Sequence, residues 1–207
     1  MKNILVTAFE AFGGDTLNPT ELILNELPES MDGYALKKLL LPVEYVKAPE
    51  LACAACDALS PAAVILLGQA GGRSAITPET RGRNLMYARI PDNAGYGPDH
   101  LPLTEGGPEY LYAGLPVTKI VSQLQEKGIP AESSDDAGTY VCNAVLYGVL
   151  LHVRGEVPAG FIHVPFIREQ GHEDLPFLEF ETIRRGILTA VGTVIGELKT
   201  PGQDDGS

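Results

Sequence analysis

Asn3-Ile4-Leu5-Val6-Thr7-Ala8-Phe9 is a short, nearly apolar run; Gly13-Gly14 end it, and Asn18-Pro19-Thr20-Glu21 follow with the marks of a helix start. An Asn side chain can accept from the free N–H groups of a first turn. A proline fits the first helical position because its missing N–H would have no partner there, and a Glu after the cap completes the pattern. Leu22, Ile23 and Leu27 continue at helical spacing, and Pro28 stops the segment. Strand, glycine turn and capped helix form the first unit of an α/β fold, and the chain then repeats the alternation. Tyr34 to Leu41 reads as a strand, Val43 to Leu59 as a helix broken near Pro49, and Ala62 to Leu67 as a buried strand bounded by Pro61 and Gly68. Pro116 to Lys127 and Cys142 to Val153 read as helices, the second with Val145, Leu146, Val149 and Leu150 on one stripe. Gly160 to Val164 reads as a strand and Leu175 to Leu198 as a closing helix.

Between Gly68 and Pro108, glycine, proline and polar residues crowd together, with a short strand expected near Asn84 to Ile90. So long a stretch with so little periodicity is usually functional in a compact domain. Strands separated by helices predict a single-domain α/β fold of phosphorylase/hydrolase-like type: a mostly parallel (mixed) sheet flanked by helices on both faces. Residues 1–200 are read as one domain and 201–207 as a polar tail. Ligands gather beyond the carboxyl ends of such strands, so the segments after Phe9, after Leu67 and around His163 belong to one neighbourhood.

Composition narrows the function classes. The 207 residues carry 27 acidic against 15 basic side chains, a formal charge of −12, which repels a phosphate backbone and argues against nucleic acid as a partner. At 44% hydrophobic and 20% charged the chain is too apolar for disorder. The longest apolar runs fall well short of the roughly 20 residues that span a bilayer, and the apolar piece at the start is too short for a signal peptide. Three cysteines, an odd and low count, argue against a disulfide scaffold and for a reducing cytoplasm.

The cysteines differ in setting. Cys53 and Cys56 are spaced like a redox or metal pair but lie mid-helix in Leu-Ala-Cys-Ala-Ala-Cys-Asp-Ala-Leu, so packing is the better reading. Cys142 follows Asp135-Asp136-Ala137-Gly138-Thr139-Tyr140-Val141 and opens a helix. The backbone N–H groups and helix dipole there would favour a thiolate and could cradle an oxyanion; simple packing at a helix start is the competing reading. Of the four histidines, His163 ends the apolar strand Gly160-Phe161-Ile162-His163-Val164, where its ring must find partners. Gly68-Gln69-Ala70-Gly71-Gly72-Arg73-Ser74 is a weak phosphate-loop signal. Beyond it lie Glu79 and Arg89, either solvated loop charges or, for Glu79, the group that orients an imidazole.

Four ordered motifs resemble the pyroglutamyl peptidase I (pyrrolidone-carboxylate peptidase) family. They are Leu5-Val6-Thr7-Ala8-Phe9-Glu10-Ala11-Phe12-Gly13-Gly14 with Asn18-Pro19-Thr20; Gly71-Gly72-Arg73-Ser74 with Ile76-Thr77-Pro78-Glu79, continued by Ala88-Arg89-Ile90-Pro91-Asp92-Asn93; Ala137-Gly138-Thr139-Tyr140-Val141-Cys142-Asn143; and Phe161-Ile162-His163-Val164-Pro165. The resemblance runs from about Ile4 to about Gln170. It departs at Ala8 and Ala11, where the family usually has Gly and Pro, at Ala144, where a His is common, and at Asp135-Asp136. Those two carboxylates are expected to oppose thiolate formation and to move the pH optimum.

The resemblance implies a cysteine exopeptidase that removes an amino-terminal pyroglutamyl residue through a thioester. Cys142 is then the nucleophile, His163 the base and acid, and Glu79 the residue that orients His163, with no metal and no cofactor. Phe9 and Phe12 would flank the flat lactam, Ile90, Tyr140 and Val141 would add walls, Gln69 and Asn18 would hydrogen-bond, and Arg89 would assist charge stabilisation. It further implies a homo-oligomer, a tetramer, acting on pyroglutamyl peptides. Two other readings stand beside it: a phosphorylase of a nucleoside-type substrate using the glycine-rich loop, and a non-catalytic binding module.

Overall fold

In the computed structural model, which describes residues 1–172 and 174–200, the first apolar run is strand β1 (Lys2–Phe9) and the capped segment is helix α1 (Pro19–Glu26). Asn18 Oδ1 accepts from the Thr20 backbone N–H at 2.9 Å and from its hydroxyl at 2.8 Å, so the cap read from the sequence is made. The chain continues through β2 (Ser30–Met31), β3 (Tyr34–Leu41), α2 (Lys47–Leu59) and β4 (Ala63–Gln69). Three short strands follow, β5 (Thr77–Pro78), β6 (Arg81–Arg83) and β7 (Tyr110–Tyr112), before α3 (Val117–Glu126) and α4 (Val141–Val153). β8 (Ala159–Val164), β9 (Phe166–Ile167), β10 (Phe177–Leu178) and α5 (Phe180–Lys199) complete the described chain.

Six strands form one sheet in the order β2-β3-β1-β4-β8-β5, parallel through β3, β1, β4 and β8 and antiparallel at both edges. Residues 4–8 of β1 and most of β4 and β8 are buried on both faces, as parallel strands between helix layers must be. The faces divide by the strand period of two. Ile4, Val6, Ile65, Leu67, Ile162 and Val164 pack with Ile23 of α1, Ile120 of α3 and Val191 of α5. Leu5, Phe9, Val64, Leu66 and Phe161 pack with Ala52 of α2 and with Val141, Val145 and Val149 of α4. The α/β architecture, a mostly parallel main sheet between helix layers, matches the expectation; β6–β7 and β9–β10 form two further two-stranded sheets, and the 201–207 tail lies outside the described residues.

Three boundaries differ from the sequence reading. Pro49 does not break α2: it sits in the first turn of a helix that starts at Lys47, where no N–H is needed. No strand forms over residues 84–90. Met86 and Leu101 exchange backbone hydrogen bonds of 2.7 and 3.0 Å, but Pro98 and Pro102 have no N–H with which to extend a ladder. The closing helix begins at Phe180, because Phe177–Leu178 pairs with Phe166–Ile167 as a strand instead. Among the described residues no helix is long and apolar enough to cross a membrane.

Candidate active site

Cys142 is the second residue of α4, so its sulfur stands where the helix still has unsatisfied N–H groups. The approach to it is tied down residue by residue. Gly138, at φ +77°, takes a turn that a side chain would disfavour, and its N–H donates to Asp136 Oδ1 at 2.9 Å. Thr139 O accepts from the Tyr45 hydroxyl at 2.9 Å and from the Tyr87 N–H at 3.1 Å. The next residue in the helix, buried Asn143, donates to Arg83 O and Leu85 O and accepts from Arg83 N–H at 2.8 Å, which moors α4 to the β6 segment.

His163 reaches the same place from the sheet. It shares the face of Phe161, whose ring centroid lies 4.6 Å from its own, and that face packs against α4. Gly68 is its parallel partner on β4, and a Cβ built on Gly68 would lie 2.6 Å from Phe161 Cζ and 3.0 Å from Cys142 Sγ. Sulfur and imidazole therefore stand on one face of the sheet, the sulfur against a position that only glycine fits.

The third group arrives by the edge strand. β5 pairs antiparallel with β8, Thr77 opposite His163, and the Glu79 N–H extends that pairing by donating to Phe161 O at 2.8 Å. Glu79 is fully buried, and His163 Nδ1 lies 2.7 Å from its Oε1. Arg73 Nη1 donates to the same Oε1 at 2.7 Å and also to the Thr77 hydroxyl, while Arg73 Nη2 donates to Asp136 O at 2.8 Å. Burial pushes the Glu79 carboxyl up, but the His163 hydrogen bond and charge, with Arg73, hold it below the ordinary value. An ionised carboxylate only accepts, so Nδ1 carries the imidazole proton and Nε2 is the basic nitrogen.

Burial sets the resting charge state. It holds the His163 pKa below the ordinary imidazole value, although Glu79 pulls it up. It also pushes the Cys142 thiol up to about 12, with the Glu79 charge acting the same way and the Cys142 backbone N–H and Arg73 opposing. The helix-tip thiolate expected from the sequence is thus not the resting form: desolvation outweighs the dipole, and thiol and imidazole are both neutral. The charge opposing sulfur ionisation is that of Glu79, whereas Asp135 is exposed and paired with Arg81 Nη2 at 2.8 Å.

A cavity of about 310 Å³ opens beside the sulfur. Of the residues read from the sequence, Phe9, Phe12, Asn18, Gln69, Tyr140, Val141 and Cys142 line it, with the Phe12 and Tyr140 rings 5.0 Å apart. Asn18 remains occupied with its cap and donates Nδ2 to Glu10 O at 3.0 Å. Glu79 and His163 lie buried behind the lining. Arg89 and Ile90 are exposed and outside it. The sequence does not single out Asp15, Phe166 or His172, which also line the wall with Gly13, Leu17, Val43 and Gly71, or Arg73 and Gln170, which hold others in place. Arg73 and Gln170 fall inside or beside quoted motifs, and that was their only signal.

In the glycine-rich segment, Gly71 and Arg73 serve packing and ion pairing. Gly71 is small because a Cβ there would lie 2.4 Å from the Phe166 ring, and Arg73 spends its donors on Thr77, Glu79 and Asp136. All three cysteines are free; burial pushes Cys53 and Cys56 up to about 11, and both pack in the α2–α4 layer. Among the described residues no cluster of His, Cys, Asp or Glu is arranged to hold a metal ion.

A family model described as pyroglutamyl peptidase matches residues 2–197. A pyrrolidone-carboxylate peptidase of Thermococcus kodakarensis is 42% identical over 203 residues, covering 96% of this chain and 98% of that protein. One from Escherichia fergusonii is 40% identical over 200 residues, covering 94% of each chain. Among solved structures, pyroglutamyl peptidase I from Bacillus amyloliquefaciens superposes with a TM-score of 0.90 at 36% identity, covering 93% of this chain and 94% of that one. Pyrrolidone carboxyl peptidase from Pyrococcus furiosus gives 0.90 at 36% identity, covering 95% and 99%.

Proposed function

This chain belongs to the pyroglutamyl peptidase family and removes an amino-terminal pyroglutamyl residue from peptides, and on that premise we propose that Cys142, His163 and Glu79 carry the reaction. The observation behind this assignment is the shared face: a buried carboxylate 2.7 Å from His163 Nδ1, and a sulfur set against Gly68, the ladder partner of His163. The neutral thiol is deprotonated by His163 Nε2 as Sγ attacks the pyroglutamyl carbonyl carbon. Ionised Glu79 stabilises the imidazolium that forms. The N–H groups at the start of α4 face the developing oxyanion. The C–N bond breaks as the imidazolium returns its proton to the departing amine, leaving a thioester and a shortened peptide. His163 then takes a proton from water, which attacks the thioester and frees pyroglutamate and the thiol.

Phe9, Phe12, Tyr140 and Val141 give the uncharged ring apolar walls, and Gln69 supplies a hydrogen bond at its edge. Arg89 and Ile90 stand outside the lining and do not hold the ring. Self-association, a homotetramer, follows from the family resemblance, and a reducing cytoplasm suits three unpaired cysteines. The test is hydrolysis of a pyroglutamyl anilide beside the matching prolyl and glutamyl anilides. Cleavage confined to the first, and lost in Cys142→Ser, is expected; full turnover by that variant overturns the nucleophile assignment.

A further inference from the structure

Gln170 ends the short 3₁₀ turn Arg168–Gln170, and its Oε1 accepts from the Ile167 backbone N–H at 3.0 Å. A backbone N–H only donates, so this bond decides which end of the amide is oxygen. The other end, Nε2, lies 2.8 Å from Gln69 Oε1, 3.0 Å from Asp15 Oδ2 and 3.2 Å from Leu17 O: three acceptors around two hydrogens. Gln69 is fixed in turn. Its oxygen is occupied, and Nε2 is the hydrogen-bonding group it offers to the cavity it lines.

We propose that Gln170 is a positioning residue for specificity: through Gln69 it presents a donor to the ring pocket and so selects a five-membered ring that bears a carbonyl. This rests on the reading that the cavity holds the pyroglutamyl ring. The lactam carbonyl accepts from Gln69 Nε2. A prolyl ring has a methylene at that place, so it leaves the amide unpaired, and its protonated nitrogen brings a charge and a second N–H where the lactam has one neutral N–H.

The test compares Gln170→Glu with Gln170→Met. The carboxylate keeps the acceptor for Ile167 but cannot donate to Gln69, whose amide then turns its Nε2 to the carboxylate and its oxygen to the ring. KM for a pyroglutamyl anilide is expected to rise about tenfold, with kcat and the rate of Cys142 carboxymethylation within about twofold of wild type. Gln170→Met leaves Gln69 free to keep its donor on the ring, and its KM rises no more than about threefold. A merely structural strut gives the reverse order, since methionine loses every hydrogen bond. Equal or reversed effects, or loss of folded protein in either variant, overturn the proposal. Failure of the wild type to cleave the anilide would instead remove its premise.

Discussion

Gly68 stands opposite His163 across the β4–β8 ladder, and the space its missing side chain leaves is bounded by the Cys142 sulfur and the Phe161 ring. How closely the Cys142 sulfur approaches the sheet beside His163 is thus governed by a position that carries no chemistry. Gly68→Ala would insert a Cβ 2.6 Å from Phe161 Cζ and 3.0 Å from Sγ. Overpacking of this kind costs about 1–3 kcal/mol, and a displaced sulfur costs turnover as well. Urea denaturation and kcat should both record the loss; a variant with wild-type kcat would show that the sulfur is not confined there.

Glu79→Gln keeps the shape of the side chain but removes the charge that fixes the Nδ1 proton. We expect kcat to fall by roughly 10²–10⁴, with KM nearly unchanged, because the carboxylate acts on the base and not on the ring pocket. A parallel rise in KM would contradict that separation.

Iodoacetamide should label Cys142 ahead of Cys53 and Cys56, and loss of activity should track the label on Cys142. All three thiols are pushed up by burial, to about 12, 11 and 11, so ionisation alone would not favour Cys142. Its advantage is a base at hand and an open cavity, and Glu79→Gln should therefore slow its labelling. Equal labelling of the three by mass spectrometry would refute the assisted thiol.

Acid should unfold the protein early. His163 has a folded pKa below its ordinary 6.5, so the unfolded chain binds the extra proton first. Its share of stability is whole above pH 6.5 and is lost as pH falls toward the folded value. Glu79, lowered from 4.5, adds a loss in the same direction at lower pH. Melting temperature should decline from pH 7 to pH 4, and Glu79→Gln should flatten the lower part of that curve. A flat wild-type profile would contradict both shifts.

Local chemistry explains what the sequence disclosed. Asn18 and Pro19 mark the start of α1, and Val145, Leu146, Val149 and Leu150 mark α4, although that helix is buried on nearly every side. The end of an apolar strand singles out His163 and the resemblance pairs it with Glu79, but their meeting depends on β5, a two-residue strand containing a proline and invisible to periodicity. Arg73 reaches a carbonyl 63 residues away and Gln170 an amide 101 residues away, separations that no window of sequence spans. The resting state of Cys142 escapes the sequence for a related reason. A helix dipole can be read from five residues, whereas the burial that overrides it is made by the whole fold.

The sheet keeps Cys142, His163 and Glu79 on one side, with α2 and α4, and a mainly apolar filling on the other, with α1, α3 and α5. Selection can act on the two sides separately. Changes such as Ile187→Val in the apolar layer should lower the melting temperature while leaving kcat/KM intact at moderate temperature, which paired melting and rate measurements would reveal. A lineage moving to hotter or colder surroundings could retune its thermal tolerance on one side and inherit its catalyst unaltered on the other.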